Sequence, residues 1–148
     1  MNVLVSACLL GENCKYNGKN NYNEELMQLL KTLPPENIIP ICPEEMGGLS
    51  TPRDPVELCN GIPQTQAGVS CEKEFRLGTE KVLQLARETG ATCAILQSRS
   101  PSCGVGRVYD GSFSATLTNG DGYCACQLAR NGVRVIDVAK LDLVRAAL

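Results

Sequence analysis

The sequence predicts a single α/β domain over residues 1–148: a mainly parallel sheet with helices on both faces, in the Rossmann-like manner. Two observations carry this. Short apolar runs alternate with amphipathic helical stretches four times, and each helix is the natural crossover between parallel strands. Gly and Pro punctuate the joints, with no repeat, low-complexity tract or linker between them.

Taken in order, residues 2–6 form the first strand and lead into a polar, Gly/Asn-rich loop. A helix follows over 24–33, where Leu26, Leu29, Leu30 and Leu33 share one face and Pro34-Pro35 stops it. Residues 38–41 suit a short buried strand that Pro43 ends, with Cys42 at its tip. Segments 56–59 and 62–65 predict a hairpin around Asn60-Gly61, a pair for which positive φ is cheap. Ser70 can cap a helix with Glu72 and Glu74 in its first turn, and Phe75, Val82, Leu83, Leu85 and Ala86 give it an apolar face as far as Thr89, where Gly90 ends it. Residues 92–96 read as another buried strand, which runs into an irregular segment over 97–110. A helix over 122–131, a strand over 133–136 and a terminal helix over 138–147 complete the pattern.

With 148 residues and 43% hydrophobic content the chain can bury a core without disulfide staples. Its net charge of −2 and lack of any basic tract argue against a nucleic-acid clamp, which works through clustered positive charge. The absence of His rules out Ser-His and Cys-His nucleophile pairs and His-ligated zinc. No apolar run approaches the roughly 18 residues of a membrane span, and nothing resembles a secretory signal, so a cytoplasmic protein with no membrane association is expected. Nine cysteines in such a chain point to metal or catalytic sulfur chemistry, with some of them serving as small buried hydrophobes.

No Cys-x-x-Cys occurs, which leaves a zinc ribbon, a thioredoxin-type dithiol and a compact ferredoxin signature without support. Cys124 and Cys126 would point about 200° apart on a helix and so cannot face one ion. Cys93, Cys59 and Cys71 read as packing residues, although a helix N-terminus at Cys71 would lower its thiol pKa. Cys8, Cys14, Cys42 and Cys103 are different, because all four lie in irregular segments that follow strands. In an open parallel sheet those segments emerge at one edge, where such folds place their ligands. Cys8, Cys42 and Cys103 can therefore meet in one crevice as a soft-metal site, either an iron–sulfur cluster or a Cys-only zinc site, with one coordination position left open.

Around these thiols, Glu44 and Ser100 are candidates for activating or positioning a water. Ser102 places a further hydroxyl beside Cys103 as a candidate substrate contact. Arg53 is placed either to hold an anionic or carbonyl substrate group or to make a loop contact with Asp54.

In combination, Ser6-Ala-Cys-Leu-Leu-Gly, Cys14-Lys-Tyr-Asn-Gly18, Cys42-Pro-Glu with Gly47-Gly-Leu, Pro52-Arg-Asp-Pro55 with Glu57, and Ser100-Pro-Ser-Cys-Gly resemble the small cysteine-rich bacterial family in which thiouracil desulfidase is the characterised activity. Gly111-Ser-Phe113 and Asn131-Gly-Val133 agree, so the resemblance spans nearly the whole chain. It implies a [4Fe-4S] cluster on Cys8, Cys42 and Cys103 whose fourth iron takes the sulfur of a thiolated pyrimidine. It also implies Glu44 and Ser100 as the catalytic pair, and Cys14 as a pocket residue or spare thiolate. Two positions depart from the pattern: Gln97 stands where a Lys is expected, and Asn17 where an Asp is usual. Both bear on substrate choice more than on cluster binding.

The expected function is a non-redox desulfidase acting on a small thiolated base or thioamide. The open iron would act as a Lewis acid on the thiocarbonyl sulfur, while water activated by Glu44 attacks the carbon and sulfide leaves. An iron–sulfur sulfur-relay protein without hydrolytic activity and a structural zinc domain are the alternatives. Sulfide release from a thiouracil without a partner protein separates the first alternative, and metal content separates the second.

Overall fold

The computed structural model describes residues Met1–Leu148. Four parallel strands form the central sheet in the order β2-β1-β5-β8: β1 (Val3–Ser6), β2 (Ile38–Ile41), β5 (Cys93–Leu96) and β8 (Arg134–Asp137). Two antiparallel hairpins flank it, β3 (Val56–Cys59) with β4 (Ile62–Thr65) and β6 (Arg107–Tyr109) with β7 (Leu117–Asn119). The helices are α1 (Glu24–Leu30), the short α2 (Pro43–Met46), α3 (Glu72–Thr89), α4 (Tyr123–Arg130) and α5 (Leu141–Ala147).

The strand pleat divides the core in two. Val3, Val5, Cys93 and Ile95 pack on one face with Leu26 and Leu30 of α1 and Val144 of α5. Leu4, Ala94 and Leu96 pack on the other with Val82 and Ala86 of α3 and Leu128 of α4. Every residue of β1 and β5 is buried, as expected of central parallel strands covered on both sides. The mainly parallel α/β sheet with helices on both faces is therefore present as read from the sequence.

Local differences have local causes. α1 ends at Leu30 in place of residue 33, because residues 31–33 turn over to 3-10-like bonds from Thr32 and Leu33 before the prolines. The N-cap position of α3 is Cys71, although the Ser70 hydroxyl still accepts the Glu72 N–H at 3.3 Å. The Cys71 thiol is pushed up, not down, because burial and the nearby Glu74 carboxylate outweigh the helix end. Segment 97–110, read as irregular, contains β6. Its partner β7 is also only three residues long, too short to show a strand period. α5 begins at Leu141, since residues 138–140 form a turn in which Ala139 N–H bonds the Asp137 side chain.

After β1 the chain moves to one side of it for β2 and then to the other side for β5. The loops that leave β1 and β5 thus diverge, which opens a crevice at the carboxyl edge of the sheet. The Ser6 hydroxyl accepts the Gln97 N–H at 3.0 Å and ties the ends of these two strands together below it.

Candidate active site

A cavity of about 490 Å³ occupies that crevice, and all eight residues singled out from the sequence line it: Cys8, Cys14, Cys42, Glu44, Arg53, Ser100, Ser102 and Cys103. They come from separate segments. Cys8 sits on a 3-10 turn, Ala7–Leu10, that Gly11 ends at φ +97°. Cys42 takes the position just before α2, whose first turn carries Glu44. Ser100, Ser102 and Cys103 follow β5 in one tight turn, where the Ser100 Oγ accepts the N–H groups of Ser102 and Cys103 at 3.2 and 3.0 Å.

Two close approaches set these segments in place. α2 packs on α3 through Gly47 and Gly78: a Cβ on Gly47 would lie 1.9 Å from the Glu74 carbonyl oxygen, and one on Gly78 would lie 1.8 Å from that of Pro43. Gly122, just before α4, also lies close on the Ser102–Cys103 peptide, where a Cβ would come within 2.5 Å of the Ser102 carbonyl carbon.

The Glu44 carboxylate is held at both oxygens. Arg53 Nε donates to Oε1 at 3.1 Å and Ser102 Oγ donates to Oε2 at 2.8 Å. Ser100 Oγ lies 3.1 Å from Ser102 Oγ, so the hydroxyls and the carboxylate form a chain in the order Glu44, Ser102, Ser100. The sequence paired Glu44 with Ser100; the structure interposes Ser102, which is itself buried at 2% exposure. Arg53 does not turn to Asp54. Its guanidinium also donates to the Cys14 carbonyl oxygen at 2.9 Å, to Thr51 Oγ1 at 2.8 Å and to the Ser50 carbonyl oxygen at 3.3 Å. The Arg53 and Glu44 side chains are 8% and 13% exposed, so this pair is desolvated and, if broken, would leave a buried charge.

The thiols fall into two environments. Cys14 lies against Cys8 and Cys42, and its thiol hydrogen, shared with those two sulfurs, raises its own pKa strongly. The same sharing lowers the Cys8 thiol to about 7 and holds the Cys42 thiol below its ordinary range, both against the opposing effect of burial. Asn21 Nδ2 donates to Cys8 Sγ at 3.4 Å, an interaction for which the sequence carried no signal. Cys103 is buried, which pushes its thiol up, while Ser6 and Ser102 hydroxyls pull the other way. The sulfurs of Cys14 and Cys42 and a Glu45 oxygen lie within 4.8 Å of one another, and the Glu45 carboxylate accepts from Thr51 Oγ1. Cys8, Cys42 and Cys103 do not close to that distance as a trio.

The remaining cysteines lie outside the cavity. Cys93 and Cys124 are buried in the two cores, and burial pushes the Cys124 thiol up to about 12. Cys126 is half-exposed, pointing away from Cys124 as their spacing requires. Gln97 lines the cavity, whereas Asn17 bonds the Lys19 N–H in a turn and does not. Phe113, Tyr109 and Glu57 also line the cavity, brought there by the two hairpins.

A donor set made of thiols, in a chain without His, with the Glu44 carboxylate already paired to Arg53 and that of Glu45 accepting from Thr51, suits a soft metal. No helix is long and apolar enough to cross a membrane. An uncharacterized protein of Bacillus subtilis, YbbK, is 35% identical over 150 residues, spanning 95% of this chain and 97% of that one. The solved structure of TudS, a [4Fe-4S]-dependent thiouracil desulfidase, superposes with a TM-score of 0.92 at 34% identity, covering 99% of this chain and 96% of the other. The 2-thiouracil desulfurase family model matches residues 3–140, and the chain belongs to that family.

Proposed function

We propose that this protein is a [4Fe-4S]-dependent desulfidase that converts a thiolated pyrimidine, or a similar thioamide, to its carbonyl form with release of sulfide. The observation that carries the reading is the meeting, in one crevice, of three loop thiols with a buried carboxylate–hydroxyl chain. Cys8, Cys42 and Cys103 would hold the cluster. They arrive from the ends of three adjacent strands, and thiolates are the ligands by which iron–sulfur clusters are held. Such a cluster, with one iron free of protein ligands, supplies a Lewis acid for a soft thiocarbonyl sulfur.

The chain's own groups act on water and on the substrate ring. Glu44 is the base that takes a proton from the attacking water, and its carboxylate keeps one orientation because Arg53 and Ser102 each hold one oxygen. Ser100, the outer member of the hydroxyl chain, orients the water or the ring, and Ser102 couples it to Glu44. Arg53 acts by fixing Glu44 and the Cys14 carbonyl. Cys14 contributes from beside Cys8 and Cys42 without being required as a ligand.

The test is anaerobic cluster reconstitution followed by a panel of thiolated bases, with Glu44→Gln beside the wild type at equal iron occupancy. Glu44→Gln keeps the size and one acceptor oxygen while removing the base, so iron and ligand binding should persist as turnover falls by roughly 10². Glu45→Gln should remain active. Loss of turnover in Glu45→Gln with Glu44→Gln unaffected would overturn the assignment. A colourless protein carrying stoichiometric zinc would overturn the reading as a whole.

A further inference from the structure

The chain has two phenylalanines and no tryptophan. Phe75 is core, edge-on to Tyr123 with ring centroids 6.0 Å apart. Phe113 is half-buried, lines the cavity that holds the thiols, and has φ +56°, a left-handed conformation that bulky residues rarely adopt. Such a conformation persists only where its surroundings impose it.

Here the surroundings are β3. A single oxygen, Glu57 Oε1, accepts the N–H groups of Gly111 at 3.0 Å and of Phe113 at 3.1 Å. Cys59 Sγ donates to the Gly111 carbonyl oxygen at 3.5 Å. Gly111, at φ +91°, is seated so closely on β3 that a Cβ would stand 2.8 Å from the Leu58 carbonyl oxygen. The Asp110 N–H closes the base of the loop on the Thr116 carbonyl oxygen at 2.9 Å. The left-handed turn at Phe113 is thus fastened from a neighbouring strand at two of its N–H groups.

We propose that Phe113 is the face on which the flat ring of the substrate stacks, and that Glu57 is a positioning residue that holds this face in the cavity. This rests on the reading of the substrate as a thiolated planar heterocycle. An aromatic face is sequence-tolerant toward flat rings and gives an open-chain thioamide much less, so it selects rings over other thiocarbonyl compounds.

Equilibrium dialysis of uracil, which has the ring and no sulfur to lose, against the cluster-loaded protein tests this, together with KM for 2-thiouracil and for thioacetamide. Phe113→Ala and Phe113→Leu should weaken uracil binding and raise the 2-thiouracil KM about tenfold, with iron content, kcat and the thioacetamide KM unchanged. Phe113→Trp should bind as the wild type does. Glu57→Ala should reproduce the loss, whereas Glu57→Gln should restore binding, because one carbonyl oxygen suffices for both N–H groups. Phe113→Leu retains apolar bulk and keeps the test informative if the alanine variants load iron poorly. Wild-type binding by Phe113→Leu, or no uracil binding by the wild type, overturns the proposal; a Glu57→Gln variant as weak as Glu57→Ala removes Glu57 from it. Ring binding that depends on Phe113, in a protein that desulfurates nothing, would leave this inference standing and remove the desulfidase reading.

Discussion

Replacing Gly78 with alanine sets two effects of opposite sign against each other. Gly78 lies inside the 18-residue helix α3, where alanine gains about 1 kcal/mol in helix propensity. The added Cβ, however, would stand 1.8 Å from the Pro43 carbonyl oxygen and 3.0 Å from the Gly47 nitrogen. Both are backbone atoms, so no rotamer change relieves the contact, and α2 must retreat from α3 by roughly 1.5 Å to reach ordinary van der Waals separation. Overpacking of this kind costs about 1–3 kcal/mol, and backbone-on-backbone contact belongs at its upper end. The net expectation is destabilisation by about 1–2 kcal/mol, or a Tm lower by roughly 3–8 °C. The functional effect is larger. Glu44 is the residue next to Pro43, and a movement of that size carries its carboxylate beyond hydrogen-bond reach of Ser102, which is 2.8 Å away in the native arrangement. A displacement of about 1 Å at a catalytic group can cost 10² in rate. Thermal unfolding and steady-state desulfuration of 2-thiouracil at equal iron occupancy measure both effects, with Leu77→Ala on the exposed side of the same helix as control. A Gly78→Ala protein with a raised Tm and wild-type turnover would refute the view that this close approach places Glu44.

Three further outcomes are expected. Single Ser replacements at Cys8, Cys42 and Cys103 should abolish iron retention, while Ala at Cys93, Cys124 or Cys126 keeps iron at a stability cost of about 1 kcal/mol where the thiol is buried; iron content by colorimetric assay after anaerobic reconstitution decides, and the reverse pattern would show the thiols to be wrongly sorted. Arg53→Met should lower turnover and destabilise the fold by about 3 kcal/mol, since it leaves the Glu44 carboxylate desolvated without its counter-charge; a denaturant melt within 0.5 kcal/mol of wild type, on the order of the surface norm, would contradict this. In the native protein at pH 8, alkylation followed by mass spectrometry should modify half-exposed Cys126 well before Cys93 or Cys124, whose thiols burial holds protonated; equal rates would show that the core opens freely.

The features legible in the sequence are those whose cause is local. The Asn60-Gly61 pair dictated its hairpin because both residues take positive φ there, +51° and +81°, as that turn demands. The apolar runs at Val3–Val5 and Cys93–Leu96 announced strands, and their lack of polar alternation fits the central places they take, since a strand covered on both faces has no polar side to show. Parallel connection then implied that Cys8, Cys42 and Cys103 leave the sheet at one edge, which the order β2-β1-β5-β8 makes a crevice. What tertiary structure alone decided depends on contacts between segments distant in the chain. Ser102 stands between Glu44 and Ser100 because Gly122 presses on the Ser102–Cys103 peptide and Gly47 meets Gly78 behind α2. Arg53 takes Glu44 in preference to its neighbour Asp54, and Cys14 settles against Cys8 and Cys42. Phe113 lines the cavity from a turn whose N–H groups Glu57, 56 positions earlier, accepts. No periodicity or turn preference records such pairings, since their stabilisation comes from burial and partner geometry that exist only once the chain has folded.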